Sequence, residues 1–134
     1  MTYLPTCLGC IVSIEVHKGA TRTVICVGKV AIKIPRMCSW HNFLRGLQAN
    51  MQERSFNCIA PQLHAQVLYA DRCGFVVVME RADRMASTEL YPYIGNSKIE
   101  ELFDACIKLG LPIERKYCDV GCFNGVWKIV DFGG

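Results

Sequence analysis

Thr23-Val24-Ile25-Cys26-Val27-Gly28-Lys29-Val30-Ala31-Ile32-Lys33-Ile34-Pro35 is the stretch that decides the fold. Two runs rich in β-branched residues, Thr23–Val27 and Val30–Ile34, flank the dipeptide Gly28-Lys29. A two-residue linker containing glycine between such runs predicts a tight antiparallel hairpin. Pro35 has no amide to give to a ladder and predicts the end of the second run. Upstream, Cys10–Val16 is again apolar and β-branched. The polar break His17-Lys18-Gly19-Ala20-Thr21-Arg22 separates it from Thr23. Three antiparallel strands are expected before residue 36.

Downstream the apolar period changes from two to 3.6. Trp40, Phe43, Leu44, Leu47 and Met51 recur at i, i+3, i+4, i+7 and i+11, which predicts a helix with these five on its core-facing side. Ser39 suits its N-cap, and Gly46 is expected to weaken it slightly. Asn57–Gln62 reads as a loop. His64–Tyr69 and Phe75–Glu80 read as two more strands around a hairpin loop, Asp71-Arg72-Cys73-Gly74. Ala82–Gly95, with Pro92 and Gly95, reads as a linker. Ser97-x-x-Glu100 is a capping box, and Ile99, Leu102, Phe103 and Cys106 follow at helical spacing, closed by Gly110 and Pro112. A loop, Glu114–Gly125, and a strand, Val126–Val130, complete the reading. Trp40 and Trp127 are expected in the core.

The composition agrees with a packed chain. At 51% hydrophobic and 20% charged, 134 residues suit one domain, 1–134, and are too apolar for disorder. Fifteen Lys and Arg against twelve Asp and Glu leave a net charge of +3, a weak basic balance. Arg36, Arg45 and Arg54 near the first helix and Arg115, Lys116 and Lys128 near the last loop lack interleaved aromatics, so solvated charge outweighs nucleic-acid binding. Nine cysteines is an odd count, which argues against a closed disulfide framework. The N-terminus lacks a secretory pattern, and no run is long enough to cross a membrane. A cytoplasmic setting with reduced thiols is expected. Cys7-x2-Cys10 with Cys118-x3-Cys122, and His17 as a spare ligand, is the weaker zinc reading.

Three motifs carry chemistry. Val30-Ala31-Ile32-Lys33 puts a lysine in an apolar strand, where it needs a paired carboxylate or a water-facing edge. Glu53, at the end of the striped helix, is the candidate partner or else a solvated helix-end charge. Asp131-Phe132-Gly133 puts a carboxylate directly after a strand, as a phosphate-bridging metal requires. In this order the three resemble the protein-kinase signature of a strand lysine, a helix glutamate and a DFG aspartate. The resemblance covers about residues 10–134. It is nearest in style to the short kinase-like proteins of bacteriophage genomes, through Phe43–Asn50, Gln52-Glu53 and Gly74–Asp83.

The resemblance implies an α+β fold. A kinase-like N-terminal lobe, a five-stranded antiparallel sheet plus one helix, would occupy about residues 10–81. A C-terminal remnant, one helix and a catalytic-loop-like hairpin, would occupy 96–134. It also implies ATP and Mg as ligands. Lys33 would hold phosphates and Glu53 would orient it. Met79 and Glu80 would form the adenine-binding hinge, and Lys18 and Thr21 would lie at the phosphate turn. Asp119 and Asp131 would bind magnesium, with Glu114 as the catalytic base.

The departures point away from catalysis. The turn at residues 17–22 has one glycine where a phosphate loop has several. Asp119-x4-Asn124 matches a catalytic loop literally, but it leaves little room before Asp131, and Asn124-Gly125 itself reads as a hairpin turn. Aligning Asp119 with the metal-binding Asn position puts Glu114 at the base. Both catalytic-loop residues are then substituted. No substrate-holding segment follows the DFG motif in the 134 residues. The expectation is a pseudokinase that binds another protein. If the resemblance extends to origin, it is a phage-encoded inhibitor or modulator of a host enzyme or defence complex in the bacterial cytoplasm. The alternative is a minimal Mg-ATP-dependent phosphotransferase. An open apolar sheet face would further favour a homodimer.

Overall fold

The computed structural model describes residues 2–5, 11–86, 97–111 and 113–130. The chain is α+β and divides into two compact units, residues 1–54 with 67–81 and residues 55–66 with 82–134.

The first unit is an antiparallel sheet with one helix. Its strands are β1 (Thr2–Pro5), β2 (Ile11–Lys18), β3 (Arg22–Val27), β4 (Val30–Pro35), β5 (Val67–Ala70) and β6 (Val77–Glu80), in the order β1-β2-β3-β4-β6-β5. Five of the six are the expected ones. β1 is additional: its four residues had given no periodic signal, yet Thr2–Pro5 pairs antiparallel with Ile11–Ile14. The β3–β4 turn is the two-residue hairpin read from the sequence. Val27 faces Val30, and Gly28 takes φ 57° at the first turn position, where only glycine is unstrained.

The register assigns the sheet's faces. Cys26 opposes Ala31, Val24 opposes Lys33, and Arg22 opposes Pro35. Val77 and Met79 continue that face beside Lys33 and Ala31. Helix α1 (Trp40–Ile59) covers it. Ile14, Val16, Ile25, Val27, Ile32 and Val78 lie on the opposite face, none of them fully buried.

Ser39 caps α1 as expected, its Oγ accepting from the Asn42 amide at 3.1 Å. Three other expectations for this helix fail. It continues through Asn57 to Ile59, into the expected loop. Glu53 is therefore well inside it rather than at its end. Its apolar stripe is not the buried face: α1 buries Gly46, Ala49, Asn50 and Glu53. Trp40 is 73% exposed, and Leu44 and Met51 are also exposed. The cause is steric. A Cβ on Gly46 would stand 2.5 Å from the Thr21 carbonyl and 2.8 Å from Pro35. One on Gly74 would stand 2.2 Å from the Leu47 carbonyl. The helix approaches the sheet too closely for large side chains between them.

The second unit holds β7 (Arg84–Met85), helix α2 (Ser97–Lys108), a 3₁₀ turn (Tyr117–Asp119), β8 (Val120–Phe123) and β9 (Val126–Ile129). β7 lies within the expected linker, and β8 within the expected loop. β7, β8 and β9 form a three-stranded antiparallel sheet. Asn124-Gly125 turns the β8–β9 hairpin with both residues at positive φ, the two-residue geometry that Asn-Gly favours. Here the helical stripe is the core: Ile99, Leu102, Phe103 and Cys106 pack with Ala60, Ala86, Leu111, Val120 and Ile129. Trp127 lies against this cluster. The end of α2 is closed by two bonds, Leu111 amide to Cys106 carbonyl at 3.1 Å and Gly110 amide to Ile107 carbonyl at 2.9 Å. Glu100 of the expected capping box accepts from Tyr117 Oη and Arg115. Among the described residues no helix is long and apolar enough to cross a membrane.

Candidate functional site

The candidate site grows from the alternation of β4. Ala31, Lys33 and Pro35 point to the helix side, so the one charged residue of the strand is buried with them. A buried ammonium needs a counter-charge, and α1 supplies it. Lys33 Nζ lies 2.7 Å from Glu53 Oε1, and the Glu53 carboxylate is fully buried. The pairing expected from the two motifs is thus present, and the water-facing alternative for each residue is excluded.

Glu53 also holds a second cation. Arg22, first residue of β3, places Nη1 3.0 Å from Glu53 Oε2 and Nη2 3.5 Å from Oε1. The first of these is a charge contact, while Nη1 makes its aligned hydrogen bond to Asn50 Oδ1 at 3.0 Å. Asn50 completes the cluster. Its Nδ2 donates to the Lys33 carbonyl at 3.1 Å and to the Gly74 carbonyl at 2.8 Å. One asparagine thereby ties α1 to β4 and to the β5–β6 turn.

The sequence places Arg22 only in the polar turn, as a candidate phosphate contact beside Lys18 and Thr21, and Asn50 only within the run Phe43–Asn50. The signal for both was present. Gly46, Ala49, Asn50 and Glu53 are themselves spaced i, i+3, i+4 and i+7, a second helical face made of small and polar residues. Arg22 shares the β3 alternation of Val24 and Cys26.

The turn between β2 and β3 is held down by its neighbours. The Gly19 amide donates to the Arg22 carbonyl at 2.8 Å. Arg36 donates from its amide to the Thr21 carbonyl at 2.8 Å and from Nη1 to the Gly19 carbonyl at 3.0 Å. Lys18 is exposed and Thr21 half-buried. Of the hinge candidates, Met79 is buried on the helix side, while Glu80 ends β6 opposite Val30, half-buried. The next amide, Arg81, donates to the Lys29 carbonyl at 2.9 Å, and the Arg81 side chain pairs with Glu15 at 2.6 Å.

The remaining candidates lie in the second unit. Asp119 stands at the base of the β8–β9 hairpin, its carbonyl accepting from the Val130 amide at 2.8 Å. Asn124 is at the hairpin tip, so the literal Asp119-x4-Asn124 loop is not what the chain forms. Glu114 is exposed and paired with Lys116 at 2.6 Å. Asp131 and the rest of the DFG motif, like Cys7 and Cys10, lie outside the described residues. Cys118 is exposed and Cys122 buried. Among the described residues no group of three or more His, Cys, Asp and Glu is placed to hold a metal ion. Several basic residues considered for nucleic acid are committed elsewhere, since Arg115 pairs with Glu100 and Asp104. His64 is buried, with Nδ1 3.2 Å from Asn57 Nδ2.

No protein-family model matches the chain, and no curated protein matches it.

Proposed function

We propose that the chain is a pseudokinase-like protein that acts by binding another protein, and that its first unit keeps the anion-handling core of a kinase N-terminal lobe. The observation that carries the kinase-like reading is the buried Lys33–Glu53 pair, strand lysine to helix carboxylate at 2.7 Å. A buried ion pair is a poor device for stability alone, whereas a lysine oriented by a carboxylate is what nucleotide phosphates require. Binding rather than catalysis is favoured by two features. The β2–β3 turn has its Gly19 amide and Thr21 carbonyl tied into the fold, and the candidate base Glu114 is solvent-exposed and neutralised by Lys116. The proposed partner is a host enzyme or defence complex of a phage-infected bacterium. ATP with Mg is the proposed ligand of the kinase-like core.

A calorimetric titration with Mg-ATP tests the core. Heat or a thermal shift that is lost in Lys33→Ala is expected, without turnover. No response at millimolar nucleotide would remove the nucleotide from the proposal. Turnover lost in Asp119→Ala would favour the phosphotransferase reading, in which Asp119 and Asp131 take magnesium and Glu114 the hydroxyl proton.

A further inference from the structure

The outer side of α1 is where sequence pattern and burial disagree most. Trp40 and Leu44 are exposed and Met51 follows two turns on, on the side of the helix away from Gly46, Ala49, Asn50 and Glu53. The apolar surface extends off the helix. Trp40 stacks on Phe43 with centroids 5.7 Å apart, and Phe43 meets the exposed Phe75 of the β5–β6 turn at 6.2 Å. Met37, just before the helix, is 83% exposed. Single exposed apolar residues need no explanation, but a contiguous aromatic patch on a helix marks an interaction surface.

The charges around it indicate the occupant. The exposed charged residues of α1 are Arg45 and Arg54, with His41 beside them. The only carboxylate of the helix, Glu53, is buried on the other side. At helical spacing His41 adjoins Leu44 on one side and Arg45 on the other, and Arg54 adjoins Met51. The patch is therefore apolar with a cationic rim and no exposed acid from its own helix. Two copies packed through it would bring like-charged rims together, which is costly at an interface.

We propose that this face of α1, with Phe75, is the docking surface for an acidic amphipathic segment of the partner protein. Apolar anchors of that segment cover Trp40, Phe43 and Leu44, and Asp or Glu side chains at its edge meet Arg45 and Arg54. This rests on the binding-protein reading and names the partner's chemistry.

The test is a display library of short helical peptides, randomised on one face and selected on the full chain. Enriched peptides are expected to combine large apolar residues at i and i+3 or i+4 with flanking Asp or Glu. Their affinity should fall about tenfold or more in Trp40→Ser/Leu44→Ser, as for central anchors. It should fall more steeply with salt than for an uncharged contact, and weaken in Arg45→Glu/Arg54→Glu. The proposal is overturned if no peptide is enriched, if the enriched set lacks acids, or if binding ignores Trp40 and Leu44. Light scattering that shows a dimer dissolved by Trp40→Ser/Leu44→Ser would assign the face to a second copy instead. Co-sedimentation with phosphatidylserine vesicles that is lost in the same variant would assign it to a membrane. A host protein whose capture survives Trp40→Ser/Leu44→Ser would keep the binding-protein reading and overturn this surface.

Discussion

The two helices of this protein treat their apolar residues in opposite ways. α2 buries Ile99, Leu102, Phe103 and Cys106, the stripe its spacing announces, and turns Glu101 and Asp104 outward. α1 turns Trp40, Leu44 and Met51 outward and buries Gly46, Ala49, Asn50 and Glu53. The second unit is thus held by an ordinary apolar core. The first packs Asn50 and Glu53 of α1 against Arg22 and Lys33 of its sheet. An arrangement that hides ions and displays aromatics is a poor route to stability.

The sharpest way to break that contrast is to remove Glu53. Glu53→Ala would leave the Lys33 and Arg22 charges without their shared buried carboxylate and should destabilise the chain by about 3–5 kcal/mol in urea unfolding. Replacing Arg22, Lys33 and Glu53 all by Met should restore most of that loss, because apolar groups of similar volume often replace buried ions at no cost. If the triple variant were as unstable as Glu53→Ala, the cluster would be structural and the contrast would collapse.

A core deletion in the second unit supplies the reference. Phe103 is fully buried in the apolar cluster, against Tyr117 at a centroid distance of 5.8 Å. Phe103→Ala should cost about 3–5 kcal/mol from lost burial and a residual cavity. Unlike Glu53→Ala, it offers no rescue by a neighbouring apolar substitution that leaves the cavity unfilled.

Thiol chemistry separates the units next. Cys38, just before α1, is exposed, and the hydrogen bond from Asn42 Nδ2 at 3.3 Å holds its pKa below the usual thiol value. Burial in the α2 core pushes Cys106 up to about 11. As pH rises, Cys38 forms thiolate before Cys106 does. The thiolate is the reactive species, so Cys38 should react with a disulfide reagent at least roughly a hundredfold faster. Peptide mapping after brief labelling reads this directly. Equal modification of the two would mean that the second unit opens readily.

Much of this organisation was legible in the sequence. The Gly28-Lys29 and Asn124-Gly125 turns, the Ser39 cap and the α2 stripe are local signals, and each is realised where it was read. The Lys33–Glu53 pair was legible because two charged residues in apolar elements need one another. Three features were not legible. β1 pairs with β2 through four residues that have no period of their own. The short strand β7 exists because Arg84-Met85 pairs with Gly121-Cys122, distant in sequence, and β8 is set between it and β9. The orientation of α1 was missed because two faces at helical spacing competed. Apolar content favoured one, but the backbone approach at Gly46 and Gly74 selected the other.

Gly46→Ala tests that explanation against intrinsic propensity. Alanine is the better helix former by about 1 kcal/mol, so an unpacked helix would gain stability. Here the new methyl would meet the Thr21 carbonyl at 2.5 Å and Pro35 at 2.8 Å, backbone and ring atoms with little freedom to move. A net loss of about 1–3 kcal/mol is expected, as for overpacked cores. A stabilised variant would show that α1 is not seated on the sheet as described.

The smallest effect is expected at the largest side chain of α1. Trp40 is mostly exposed, and Trp40→Ser with Leu44→Ser removes two large apolar groups from the helix face opposite the ion cluster. Substitutions at exposed positions outside caps and buried networks usually stay within about 0.5 kcal/mol, and here the change also reduces exposed apolar surface. Thermal unfolding should therefore be nearly unchanged, whereas the same pair of changes in α2, at Ile99 and Leu102, should unfold the chain. A loss of more than about 2 kcal/mol in Trp40→Ser/Leu44→Ser would place these residues in a core after all. A neutral result would leave a tryptophan and a leucine that the fold does not use.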